Sequence, residues 1–276
     1  MNQQLVFDFD LIKKYDQSGP RYTSYPTALQ FDDGFNSHAY AETARESNHS
    51  EKALSLYFHI PFCDTVCFYC GCNKIATKDR TKAQPYLDRV FQEMSLQSEL
   101  FDNERTVEQL HWGGGTPTFI SHAQMTELMQ KTADYFKLAD NDSGEYSIEI
   151  DPREATAETV KLLRELGFNR MSLGVQDFDH DVQVAVNRIQ TEEQTLTVLD
   201  SAREQGFRSV SIDLIYGLPF QSVTSFEKTL DRIIKASPDR LSVFNYAHLP
   251  NIFKPQRRIN ESELPSAEEK LDILTM

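Results

Sequence analysis

All four cysteines of this chain fall between Cys63 and Cys72, in the run HIPFCDTVCFYCGCNK. Thiols bunched so tightly are badly placed to staple distant segments together, so they point to metal ligation in a reducing compartment. Cys63, Cys67 and Cys70 have the spacing C-x-x-x-C-x-x-C. Three thiolates on one short loop can each take one iron of a cubane iron–sulfur cluster and leave the fourth iron open to a reactant. The spacing matches neither the bacterial ferredoxin run nor the paired C-x-x-C units of a structural zinc site. Cys72 is expected to stay off the metal, because a fourth protein ligand would close the site; it reads as a packing thiol or a catalytic thiol on the substrate side.

Other residues have chemistry to offer around that loop. HWGGGTP sets three glycines in a row, more than a tight turn needs, where backbone must approach something closely or adopt positive φ. Glu149 and Asp151 alternate onto one face, where a carboxylate accepts hydrogen bonds from hydroxyls or an ammonium group. The plainer reading of Asp151-Pro152 is turn chemistry. His59 and His248 sit near strand ends, where a satisfied core histidine is the commoner outcome. Only His59 adjoins the cysteine loop, and it is the catalytic candidate of the two.

The elements that must position these residues are legible as alternating patterns. Six short β-branched or aromatic runs, SLYFHI from Ser55, EQLHWG from Glu108, YSIEID from Tyr146, NRMSLGV from Asn169, SVSIDLIYG from Ser209 and RLSVFNYAHL from Arg240, alternate with helical stretches. Ser121 with Gln124, Thr191 with Gln194 and Thr224 with Glu227 have capping-box spacing; Gly167, Gly206 and Pro238 read as helix stops. Right-handed crossovers between sequential parallel strands predict an α/β fold, a partial (β/α)6 TIM-like barrel with its active groups at the carboxyl ends of the strands. An open doubly wound sheet is the alternative. Residues 51–276 form this barrel in the reading. Residues 1–50 do not share the alternation and are expected to be an extended arm lying on it. The chain stops at Met276 inside a charged helical pattern, so a longer protein continuing past that point is expected.

Composition narrows the partners. A formal net charge of −14 at pH 7 disfavours nucleic acid and anionic membrane surfaces, which need clustered Lys and Arg. The amino terminus has no basic stretch followed by an apolar one, and no window approaches a membrane span, so a cytoplasmic protein is expected.

C-x-x-x-C-x-aromatic-C after a first strand resembles the signature of the radical S-adenosylmethionine superfamily. YFHIPFC from Tyr57, CGCNK from Cys70, HWGGGTPT from His111, IEIDPRE from Ile148, GVQDF from Gly174, DLIYGLP from Asp213 and FNYAHLP from Phe244 together resemble its oxygen-independent coproporphyrinogen III oxidases, also called coproporphyrinogen dehydrogenases. The resemblance runs from the arm to the last residue. It implies a 4Fe-4S cluster on Cys63, Cys67 and Cys70 whose open iron binds S-adenosylmethionine. One electron then breaks the cofactor's sulfur–carbon bond, and the 5'-deoxyadenosyl radical takes a hydrogen from a propionate of coproporphyrinogen III. Loss of carbon dioxide and an electron leaves a vinyl group, and a second round gives protoporphyrinogen IX in haem biosynthesis.

By the same resemblance Gly114 and Glu149 serve the first S-adenosylmethionine, and Gly115, Thr116, Gln176, Arg188 and Asp213 a second molecule. Tyr57, Tyr69 and Ala247 match the remaining contacts, with Tyr69 standing where a Phe is expected; its ring still stacks and its hydroxyl is an addition. Arg21, Tyr22 and Tyr25 of the arm would close over the tetrapyrrole. Its carboxylates need local positive charge, for which Arg21, Lys74, Arg153 and Arg257 are candidates. The resemblance further implies a monomer served by an electron donor such as a flavodoxin or ferredoxin. The rival expectation is a haem-binding or haem-transfer protein of the same branch, which Cys72 and the arm argue against; an RNA-modifying enzyme is disfavoured by the acidic balance.

Overall fold

The computed structural model describes residues 7–15, 25–50, 52–140 and 142–276. Six long strands form at the six expected places: β1 (Leu54–Ile60), β2 (Thr106–Gly114), β3 (Glu145–Ile150), β4 (Arg170–Gln176), β5 (Ser209–Tyr216) and β6 (Arg240–Asn245). Every neighbouring pair is parallel, and the strands lie side by side in chain order. A doubly wound sheet reverses its strand order at a switch point. Here there is no reversal among the described strands, so the chain follows the barrel alternative. β1 and β6 are its two edges, and β6 leaves Leu241, Val243 and Phe244 exposed.

The core fills the strand faces that point to the helices, while the opposite faces carry Glu149, Ser172 and Asp213 into a cavity. Ile60, Leu110, Trp112, Ile148, Leu173 and Ile212 are fully buried in one contiguous cluster. Trp112 packs edge-on against Phe168, with ring centroids 4.8 Å apart.

Helix ends follow local chemistry. Ser121 and Gln124 close a capping box at the start of the helix His122–Tyr135, as do Thr191 and Gln194 at Glu192–Glu204. Gly167 and Gly206 take positive φ just past two helix ends, where only glycine avoids a Cβ penalty. The expected box at Thr224 and Glu227 is displaced. Ser222 is the cap, accepting from the Ser225 N–H, and Thr224 lies inside the helix Val223–Ala236. An extended Ser222 already satisfies the orphan N–H groups, so the helix begins a residue pair earlier. That helix ends on Ser237 in the left-handed region, followed by Pro238.

The first fifty residues are not uniformly extended. Asn36 accepts from the N–H groups of His38 and Ala39 and starts a regular helix, Ser37–Glu46. Tyr40 donates to Gln97 Oε1 at 2.5 Å and Asn48 Nδ2 to Leu100 O at 3.0 Å, tying this region to the helix Ala83–Ser98 and its end. Arg21 and Tyr22 lie outside the described residues; Tyr25 is exposed. Among the described residues no helix is long and apolar enough to cross a membrane.

Candidate active site

The loop after β1 is fixed by backbone pairing before any side chain acts. Phe62–Cys63 pairs in parallel with Ile75–Ala76, so residues 64–74 project as a closed loop. Phe68 N–H donates to Val186 O, and Asn187 Nδ2 to Val66 O, which pins the far side of the loop to the segment after β4. Cys63, Cys67, Cys70 and Cys72 all line one cavity of about 300 Å³ at the carboxyl ends of the strands. Cys63 and Cys67 are buried, while Cys72 is exposed.

The glycine run packs directly under this loop. Gly115 N–H donates to Ile60 O and Thr116 N–H to Phe62 O, both at 2.8 Å. A Cβ on Gly115 would stand 2.7 Å from Phe62 O and 2.9 Å from Cys63 Sγ, so any side chain would expel the cysteine. Gly114 has φ of 120° and donates its N–H to Glu149 Oε2 at 3.1 Å. Glu149 also meets His111 Nε2 at 3.4 Å, and its carboxylate faces the cavity.

Asp213, from β5, accepts from Ser172 Oγ at 2.7 Å; burial pushes its carboxyl above the ordinary range. Gln176 reaches the cavity from a left-handed backbone, φ 71°, where β4 slips register against β5 between Gly174 and Gln176. A non-glycine residue there costs about 1–2 kcal/mol, a strain that typically accompanies functional positions. Tyr69 lines the cavity beside Cys67 and Arg188.

Three expected residues lie outside this lining. Tyr57 is exposed and stacks on His111, with centroids 5.7 Å apart. His59 is held between Tyr57 Oη at 2.9 Å and Asn73 O at 2.8 Å, so it braces the end of the cysteine loop. Ala247 is exposed beyond β6, its carbonyl accepting from Gln256 Nε2, which also binds Tyr69 O. His248 is satisfied by Tyr246 Oη and Glu261. Of the cationic candidates, Lys74 and Arg153 line the cavity and Arg257 does not.

Sequence reasoning left Asp151 open between a binding carboxylate and a turn, and missed its pairing with two arginines in the fold. Asp151 does cap a short turn, but its carboxylate also joins Arg153 and Arg188 in the cavity wall. Burial pushes that carboxyl up, yet Arg188 and Arg153 outweigh it and hold it below the ordinary range. The D-P-R triplet carried part of the signal; Arg188, from a different strand-to-helix connection, carried the rest.

The donor set fits the chemistry that the spacing implies. Three thiols from one loop share a cavity with cationic neighbours, and cations favour thiolates, the form that binds iron. The Cys70 thiol is pulled down to about 5, chiefly by a hydrogen bond from Cys72, whose own thiol is pushed up by the same bond. Arg188 Nε is buried without a hydrogen-bond partner among the described residues, a donor left for a bound acceptor.

A model of the radical SAM superfamily matches residues 57–233. The chain is 56% identical over 274 residues to the oxygen-independent coproporphyrinogen III oxidase of Pseudomonas aeruginosa, covering 99% of this chain and 60% of that protein. The Escherichia coli enzyme of the same name is 52% identical over 272 residues, 99% of this chain and 58% of the relative. A solved structure of coproporphyrinogen III oxidase from Escherichia coli, described as a radical SAM enzyme, matches with a TM-score of 0.92 at 50% identity, covering 99% of this chain and 60% of that one. The chain thus spans about 60% of the length of these relatives. The radical S-adenosylmethionine methyltransferase TsrM from Kitasatospora setae, at a TM-score of 0.53 and 12% identity over 76% of this chain and 37% of that one, shares the fold alone. The chain belongs to the radical SAM superfamily, whose 4Fe-4S cluster and S-adenosylmethionine are the groups that its cysteine loop and the cavity beside it suit.

Proposed function

We propose that this chain is the barrel portion of an oxygen-independent coproporphyrinogen III oxidase. The reaction removes a hydrogen atom, carbon dioxide and one further electron from each of two propionates, leaving vinyl groups and protoporphyrinogen IX. The observation that carries the reading is the cavity itself, in which Cys63, Cys67 and Cys70 face Gly114, Glu149 and Asp213 across about 300 Å³. Identity above 50% along nearly the whole chain to two enzymes of that name supports the substrate.

When bound, the cluster and S-adenosylmethionine supply one-electron radical chemistry. The chain's own residues position and shield it. Cys63, Cys67 and Cys70 hold three irons as thiolates, and Cys72 stays off the metal. Glu149, aligned by Gly114 N–H, accepts from the cofactor's ammonium group, while Ser172 holds Asp213 for a hydroxyl. Gly115, Thr116, Gln176, Arg188 and Asp213 serve a second S-adenosylmethionine; Tyr57, Tyr69 and Ala247 complete the contacts. His59 orients the loop end, and Lys74 is a cation available to substrate carboxylates. The protein works as a cytoplasmic monomer without nucleic acid or membrane, reduced by a flavodoxin- or ferredoxin-like donor.

The test is anaerobic reconstitution with iron and sulfide, followed by S-adenosylmethionine, a strong reductant, and coproporphyrinogen III added or withheld. Substrate-stimulated 5'-deoxyadenosine with release of carbon dioxide is expected. Haem binding with unstimulated 5'-deoxyadenosine would favour the haem-transfer reading instead.

A further inference from the structure

Two cations crowd the sulfur of Cys67, and the proposed reaction does not require both. Arg188 Nη1 stands 3.6 Å from Cys67 Sγ and Arg153 Nη2 3.8 Å. One carboxylate fixes both. Arg153 forks Asp151, with Nε donating to Oδ1 at 3.0 Å and Nη2 to Oδ2 at 2.7 Å, while Arg188 Nη1 reaches the same Oδ2 at 3.0 Å. Arg188 is anchored from behind by donating Nη2 to Gly174 O. The side chains of Arg188, Asp151 and Arg153 are only 7%, 10% and 18% exposed, so solvent screens them weakly.

Neither of the other two sulfurs has a guanidinium hydrogen-bonded to it among the described residues. Cys63 Sγ faces the Thr116 hydroxyl at 3.6 Å, and Cys70 Sγ the backbone N–H of Cys72 at 3.4 Å. Lys74 donates to the carbonyl of Cys70 at 3.0 Å. Cys67 therefore takes two guanidiniums, against the single Lys74 ammonium beside Cys70. Hydrogen bonds to ligand sulfurs and local charge are what set the potential of an iron–sulfur cluster, and both act more strongly in a buried site.

We propose that Asp151, Arg153 and Arg188 form a clasp that tunes the cluster's reduction potential. The two guanidiniums favour the electron-richer reduced cluster, and Asp151 is the positioning residue that aims both at Cys67. Two cations and one anion leave one net positive charge beside the sulfur. The electron comes from an external one-electron donor, and no bond in the protein forms or breaks. The inference rests on Cys67 being a cluster ligand.

The test uses the full chain, reconstituted anaerobically without S-adenosylmethionine, as wild type, Arg153→Gln and Arg153→Lys. Iron and sulfide are counted, and the reduced-cluster resonance is followed against an imposed potential. Arg153→Gln is expected to keep its iron and shift the one-electron equilibrium about tenfold toward the oxidised cluster, about 59 mV more negative. Arg153→Lys, keeping charge but losing the fork, should shift less in the same direction. An unmoved potential with a full cluster overturns the proposal, as does a change confined to S-adenosylmethionine affinity. If the Gln variant fails to hold iron, the Lys variant decides by the same criterion. A wild type that loads no cluster would instead sink the ligand reading itself.

Discussion

At the scale of single residues, the cysteine loop separates function from packing by one atom type. Cys63→Ser, Cys67→Ser and Cys70→Ser should each abolish the cluster on reconstitution, whereas Cys72→Ser should keep wild-type iron. Equal iron loss at Cys72 would mean a closed cluster without an open iron. Asp151 makes a prediction about pH. Its carboxyl sits below the ordinary range in the fold, so the stability it contributes is complete above the unfolded value and disappears as pH falls through the folded one. Removing one partner of such a buried pair costs about 3 kcal/mol. Asp151→Asn should therefore be less stable than wild type near neutrality by about that amount, and the gap should begin to narrow below about pH 3.9, the ordinary Asp value. Urea titrations of both proteins from pH 6 to pH 3 check it; a gap independent of pH would deny the carboxylate its ionic role. Only the Asp151–Arg153 half of this clasp was legible in order of sequence, because Arg188 belongs to a different strand connection and meets Asp151 only when β3 and β4 are adjacent.

At the scale of elements, the strands and most helix ends could be read directly. Short β-branched or aromatic runs alternating with helical stretches marked all six strands, the pattern of repeated βα units. The helix Val223–Ala236 is the instructive exception. Thr224 and Glu227 have the familiar capping-box letters, yet Ser222 and Ser225 form the box. Serine at the third position satisfies the same geometry with a shorter side chain, so residue letters alone ranked the wrong pair. Ser222→Ala should cost about 1 kcal/mol of stability and Thr224→Ala close to nothing. Chemical denaturation of the two variants separates the assignments, and the opposite ranking would restore the Thr224 cap. The segment 37–46 departs from the expected arm for a similar reason: Asn36 supplies a cap, and the Ala, Glu and Arg that follow favour a helix.

At the scale of the molecule, one core carries the sheet that presents the site. Trp112 is the single tryptophan of the chain, fully buried on β2 two residues before Gly114. Its packing against Phe168 links the glycine turn to the start of β4. Trp112→Ala should destabilise the protein by about 3–5 kcal/mol. In wild type, tryptophan fluorescence and far-ultraviolet circular dichroism should lose signal at the same denaturant concentration, since the buried cluster runs through all the strands from β1 to β5. Separate transitions would show that the glycine turn can be lost while the sheet persists.

The sequence by itself determined the chemistry and the framework: three thiols at cluster spacing, glycines where backbone must come close, and six strand–helix units whose periodicity allows a parallel α/β fold. These are local properties, set by spacing along one segment. Only the tertiary structure decided which side chains share the cavity. It placed Tyr57, His59 and Ala247 outside the lining, turned Gln176 inward through a left-handed backbone, and brought Arg153 and Arg188 against Cys67. Those outcomes depend on strand register and on which loops become neighbours when the sheet curls, and such contacts are fixed by packing between segments that no single stretch of chain contains.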